Sequence, residues 1–261
     1  MDSMKYGYMT ETNNRVRVGV KKGQNIAGFP IGIIYIEDVW YPYVPGNVVN
    51  GYTYDFPVRL KAVKGLDVDK LLFRSGDYLY ESILTACKEL EQEGVRAISG
   101  ACGFFGNFQD RLAADCNVPV GVSSLVQLPW IQALLKPGQK IGVLTASADS
   151  ISDHLFAACG VSKELQDRLV IRGLGKEPEF SCIIEQRGEF DNGIVRDEVV
   201  AKAKEIVEEC PDVGAILLEC SDMPPYAWAV QAETGLPVFD FITLIKWLHS
   251  GVCQTPYCGF M

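Results

Sequence analysis

The chain contains two copies of one motif, with a cysteine in the same place in each. The first copy runs Ala97-Ile98, Cys102, Pro119-Val120. The second runs Ala215-Ile216, Cys220, Pro237-Val238, every position 118 residues after its counterpart. An earlier echo pairs Ile31-Gly32-Ile33 with Ile141-Gly142-Val143 at an offset of 110. A duplicated half that keeps a thiol at the matching strand end predicts a two-lobed molecule with one cysteine facing in from each lobe. That geometry suits moving a proton from one face of a carbon to the other.

Short apolar runs rich in β-branched residues alternate with helical patterns, the sequence form of βαβ units around a parallel sheet. Strands are expected at 31–36, 97–99, 118–122, 140–145, 169–171, 215–218 and 238–239, with 58–63 a further candidate. Apolar positions at helical spacing mark 78–93, stopping at Gly94, and 196–209, stopping before Pro211. Ser150-Ile151-Ser152-Asp153 reads as a capping box for a helix ending near Gly160. Both cysteines fall where a buried strand gives way to a turn, the edge of a parallel sheet at which ligands bind.

The fold class expected is therefore α/β, two pseudo-symmetric parallel-sheet lobes with the active site in the cleft between them. Crossings are placed near Gln127 and Asp222. Residues 1–126 with 223–261 then form the first lobe, and residues 127–222 the second. The stretch from Glu37 to Gly76 is rich in Tyr, Pro, Gly and Asn. It reads either as a lid or binding loop, or as a packed aromatic surface or oligomer contact.

A length of 261 residues with 48% hydrophobic and 22% charged residues fits a globular protein with a substantial core. The net charge of −9 comes with no basic tract, which argues against nucleic acid and anionic membranes as partners. No apolar run approaches the roughly 20 residues needed to span a bilayer. Residues 1–25 are polar, without the apolar core of a secretory signal. Nine cysteines, none in a C-x-x-C pair, read as reduced thiols in the cytoplasm. Only His154 and His249 are present, neither at ligand spacing from a cysteine pair, so no metal is expected.

In Ser99-Gly100-Ala101-Cys102-Gly103-Phe104 small residues bring backbone close to a ligand. A helix starting there would present free N–H groups and a positive dipole end to a carboxylate, and would lower the thiol's pKa. Glu219-Cys220-Ser221-Asp222 repeats the logic, with Pro224-Pro225 suited to a first helical turn. One cysteine as thiolate would abstract an α-proton and the other as thiol would deliver one to the opposite face. The amides of Gly103, Phe104, Ser221 and Asp222 would hold the substrate carboxylate. Asn47, from the aromatic segment, joins the substrate-binding set. No cofactor is needed, and a small carboxylate-bearing molecule is the expected partner. The aromatic lid leaves room for a homodimer.

These residues resemble the aspartate/glutamate/hydantoin racemase superfamily, cofactor-independent enzymes with two pseudo-symmetric α/β lobes and a cysteine from each. The resemblance spans roughly residues 31–247 and rests on the paired cysteine motifs and the Pro-Val strands that follow them. It implies that Cys102 and Cys220 are the acid/base pair and that Thr145 lies near the substrate. It implies an isomerase, a racemase or epimerase of amino acids or hydantoin-type compounds. Where glutamate racemases carry Asn-Thr and Thr-His after their cysteines, this chain has Gly103-Phe104 and Ser221-Asp222. That points away from glutamate and toward the hydantoin branch. Three other readings stay open: a maleate isomerase or arylmalonate-decarboxylase-like enzyme of the same fold, a non-catalytic small-carboxylate binding protein, and a thiol-redox sensor.

Overall fold

The computed structural model describes residues 7–11 and 13–261. Residues 1–6 and 12 of the expected first lobe and polar N-terminal segment lie outside the described residues. Eight strands are described: β1 Ile31–Asp38, β2 Val58–Asp67, β3 Ala97–Gly100, β4 Val120–Gly121, β5 Lys140–Thr145, β6 Leu169–Gly173, β7 Val213–Leu218 and β8 Val238–Phe239. They form two four-stranded parallel sheets, ordered β2-β1-β3-β4 and β6-β5-β7-β8. The fold is the two-sheet α/β architecture expected.

The duplication extends to register. Ile31 faces Ala97 as Ile141 faces Ala215, and Ile98 faces Val120 as Ile216 faces Val238. The glycines of the early echo have a packing reason. A β-carbon on Gly32 would come within 2.9 Å of Leu90, and one on Gly142 within 2.9 Å of Ile206. Leu90 belongs to the helix Tyr80–Glu93 and Ile206 to Asn192–Glu209, so each glycine lets the long helix of its half lie close on the central strand. The first helix stops at left-handed Gly94; the second starts on the Asp191 carboxylate, which accepts from the Gly193 and Ile194 amides.

Local boundaries differ from expectation in three places. The helix Asp153–Ala158 is capped by Ser152, which accepts from the Leu155 amide, while Ser150 ends a separate 3-10 turn. β4 shrinks to two residues. The return to the first sheet comes after Phe239, because β8 pairs with β7 in the second sheet, whereas a crossing was expected near Asp222. The helix Phe241–Val252 then covers the first sheet. Its face of Phe241, Leu244, Ile245 and Leu248 clusters with Ile31, Ile33 and Ala97. A reciprocal capping box between Asp240 and Thr243 starts it.

Core packing runs across the sheet boundary. One buried cluster holds Ile34, Ile36 and Ile98 of the first sheet together with Ile141, Val143 and Leu217 of the second. The carboxyl edges of β3 and β7 therefore meet across packed side chains, and the site lies enclosed between them. Among the described residues no helix is long and apolar enough to cross a membrane.

Candidate active site

The two cysteine turns leave their sheets in the same way. The Ala101 amide donates to Ile34 O, and the Glu219 amide donates to Leu144 O, extending the ladder one residue past each strand. The chain then turns, with Phe105 N bonded to Cys102 O and Met223 N to Cys220 O, each at 3.2 Å. A 3-10 turn follows in both, Gly103–Phe108 and Pro224–Tyr226, and each runs into an α-helix.

Both thiols line one small cavity of about 30 Å³, with Gly103, Phe104, Ser221 and Asp222 beside them. Ile36, Val68 and Leu72 supply part of its apolar wall, and Tyr41 closes it from the aromatic segment. A cavity of about 1050 Å³ lies elsewhere, under Phe29, Phe56 and His249 near the amino end of β1. It contains neither cysteine. Among the described residues no group of three or more His, Cys, Asp or Glu side chains is arranged to hold a metal ion.

The amides and thiols differ from the expected arrangement. The Phe104 amide donates to Cys102 Sγ and the Asp222 amide to Cys220 Sγ, so these two N–H groups serve the sulfurs. That should favour thiolate, yet both thiols are held well above the ordinary range. For Cys102 burial dominates, followed by the charge of Glu219; for Cys220 burial dominates, followed by Asp222 and Glu219. The lowered thiol pKa expected from a helix start is overridden by burial first, with the two buried acids adding to it.

One of those acids was on the expected list and one was not. Asp222 accepts from Tyr41 Oη at 3.1 Å, Asn47 Nδ2 at 2.5 Å, the Cys220 thiol at 3.4 Å and Ser221 Oγ at 3.5 Å. Burial still raises its pKa. Asn47 is thus placed behind Asp222 and fixes it, its own Oδ1 accepting from the Val49 amide. Glu219 is wholly buried, with Oε2 accepting from Thr145 Oγ1 at 2.7 Å and Oε1 without a partner. Burial pushes its pKa up to about 7. Thr145 stands behind Glu219 rather than on the cavity wall. Glu219 and Tyr41 escaped the sequence reading. The available signal was an acid directly after the wholly apolar run Ala215–Leu218, where burying a charge is costly enough to need a reason.

No family model matches the chain. A dimethylsulfoniopropionate lyase of Durusdinium sp. clade D is 31% identical over 246 residues, covering 91% of this chain and 80% of the relative. Dimethylsulfoniopropionate lyase 7 of Emiliania huxleyi (strain CCMP1516) is 32% identical over 240 residues, covering 88% and 69%. The chain belongs to the dimethylsulfoniopropionate lyase family. Solved structures of the same fold include a cysteine-for-glycine mutant of arylmalonate decarboxylase in a sulfate-associated form. It has a TM-score of 0.57 and 20% identity, over 87% of this chain and 96% of that one. Allantoin racemase from Klebsiella pneumoniae gives a TM-score of 0.59 and 14% identity, over 87% and 90%.

These findings correct the functional expectation. The fold is shared with racemases, but the curated relatives are lyases, so an isomerase, and a racemase in particular, is not the best-supported class. The two turns are also unequal in what they supply: the second contributes both buried acids, Glu219 and Asp222, and the first contributes none.

Proposed function

We propose that this chain is a lyase that eliminates dimethyl sulfide from dimethylsulfoniopropionate. The observation that carries the reading is the contact of the Cys220 thiol with Asp222 Oδ2 at 3.4 Å in a cavity shared with Cys102. An activated nucleophile or base is expected beside an acceptor that is itself oriented by a third group. Asp222 is so oriented by Tyr41 and Asn47. Membership in the lyase family supports the choice of leaving group.

In the proposed step Asp222 takes the proton of the Cys220 thiol. The resulting thiolate removes a proton from the carbon beside the substrate carboxylate. The electrons of that C–H bond form a carbon–carbon double bond, and the carbon–sulfur bond breaks with its pair passing to the sulfonium sulfur. Neutral dimethyl sulfide and acrylate result, Cys220 is again a thiol, and Asp222 releases its proton to solvent. Elimination needs no proton delivered to the opposite face. Cys102 is then assigned to the opposing wall, as a thiol held by the Phe104 amide. The substrate carboxylate is assigned to the Ser221 turn, where four donors already temper the charge of Asp222.

The test is direct. Purified protein incubated with dimethylsulfoniopropionate is expected to release dimethyl sulfide, read by headspace gas chromatography, with equimolar acrylate by proton NMR. No release above a buffer control overturns the proposal.

A further inference from the structure

Glu219 has the least satisfied charge in the site. It is wholly buried, the Thr145 hydroxyl donates to Oε2, and Oε1 has no partner. Asp222, by contrast, has four side-chain donors. Leaving a buried carboxylate oxygen without a partner is costly, and a native structure that keeps one needs a reason for it. The neighbouring chain is shaped to keep it there: a β-carbon on Gly103 would sit 1.5 Å from Oε1, so only glycine leaves the carboxylate its place.

Beyond the Thr145 hydroxyl, the surroundings of Glu219 are unfavourable to an anion. None of the described side chains lining the cavity is basic. The titratable groups whose protonation feels Glu219 are Cys102 and Cys220 on the two turns and Cys159 behind the first, all of which carry negative charge when ionised. Asp222 adds a second carboxylate to the same cavity. The remaining walls are aliphatic, with the rings of Tyr41 and Phe104 among them. A bare carboxylate oxygen flanked by aromatic and aliphatic surface is matched by a cation that offers no N–H or O–H donor. Such a cation brings only charge and polarised methyl groups, and aromatic faces attract it further.

We propose that Glu219 is the specificity-determining seat for an alkylated onium cation, receiving the dimethylsulfonio group of the substrate. The assignment rests on the lyase reading for the identity of that cation, but the seat itself is a statement about charge. It also bears on the raised thiols, to which Glu219 contributes after burial. A sulfonium beside Glu219 offsets the negative field on Cys220, so the base becomes easier to ionise when substrate is bound. Raising Glu219 to about 7 in the free site fits the same account, since the incoming cation would favour its ionised form.

The experiment compares two probes of one shape. 3-(Trimethylammonio)propionate carries the cation, and 4,4-dimethylpentanoate replaces its nitrogen by carbon. Calorimetric titration of the wild type is expected to favour the trimethylammonio probe by about tenfold or more. Glu219→Gln should bring the ratio close to one, chiefly through weaker binding of the trimethylammonio probe. A ratio unaltered by Glu219→Gln overturns the seat. Should that variant fail to fold, the wild type alone decides: the ratio must rise as pH is raised through about 7, and a flat ratio overturns it. Dimethyl sulfide release is scored separately. A preference that collapses in Glu219→Gln without any release upholds the seat and removes the lyase reading. Release with an unchanged ratio does the reverse.

Discussion

The two cysteine turns are alike in backbone and unlike in charge, the first neutral and the second acidic. Both leave the sheet on the same extra hydrogen bond, both place an amide two residues on against the sulfur, and both enter a 3-10 turn. Their side chains then part. Where the first turn has Ala101, Gly103 and Phe104, the second has Glu219, Ser221 and Asp222 at the matching positions. Duplication preserved a scaffold able to present two thiols, and substitution around one of them made the thiols unequal. The symmetry of a backbone is therefore a poor guide to the symmetry of the chemistry it supports. Two matching cysteines argued for inversion; the unmatched acids beside them agree with elimination.

Unequal roles predict unequal losses. Cys220→Ala is expected to lower dimethyl sulfide release by ~10²–10⁴-fold, the usual worth of a positioned acid or base. Cys102→Ala should cost clearly less, and should still exchange the substrate α-proton with deuterated solvent, which Cys220→Ala should not. Equal losses with exchange abolished in both would return the two thiols to equivalence.

Substitution at the paired small residues should separate the turns by stability. Gly103→Ala drives a methyl group into Glu219 and is expected to destabilise by about 1–3 kcal/mol, as overpacking does. Ser221→Ala, at the matching place, removes one hydroxyl bonded to Ala101 O and should cost about 1 kcal/mol. Thermal melts of the two variants measure the difference, and reversed order would break the comparison. Tyr41→Phe removes one of the donors to Asp222 and should likewise cost about 1 kcal/mol, with a modest fall in turnover.

The smallest effect is a pH slope. Glu219 has a folded pKa raised from 4.5 to about 7, so between those values the folded chain holds a proton that the unfolded chain has lost. Stability contributed by this group is present below 4.5 and declines as pH rises through that window. Urea melts of Glu219→Gln should lack this component, and its slope subtracted from that of the wild type should be negative. A difference of zero would mean that the raised acid is absent.

Much of the fold was legible because duplication and periodicity are local signals. The Ile-Gly-Ile echo, the Pro-Val pairs and the Gly94 stop each correspond to an observed strand, pairing or cap. The crossing placed near Asp222 conflicted with the repeat itself, which had already assigned Pro237-Val238 to the second copy. At the candidate site, the register of the two cysteines is matched by their place on one cavity, with Asp222 beside the second. Glu219 was not singled out, because its importance depends on Thr145, 74 residues away, and on the absence of a side chain at Gly103. Asn47 and Thr145, expected as substrate contacts, are hydrogen-bonded to the two acids. A buried hydrogen bond to a side chain across the fold leaves no periodic trace.

The helix Phe241–Val252 carries a consequence for how the molecule comes into being. Its apolar face completes the cluster around Ile31, Ile33 and Ala97, strands made at the opposite end of the chain. A ribosome releases the first sheet long before the helix that covers it. During synthesis that sheet waits with part of one face bare, and the second half must be laid down before the first is finished. The duplicated halves are thus not two small proteins joined in series. The first copy of the motif stays unfinished until this helix packs on it.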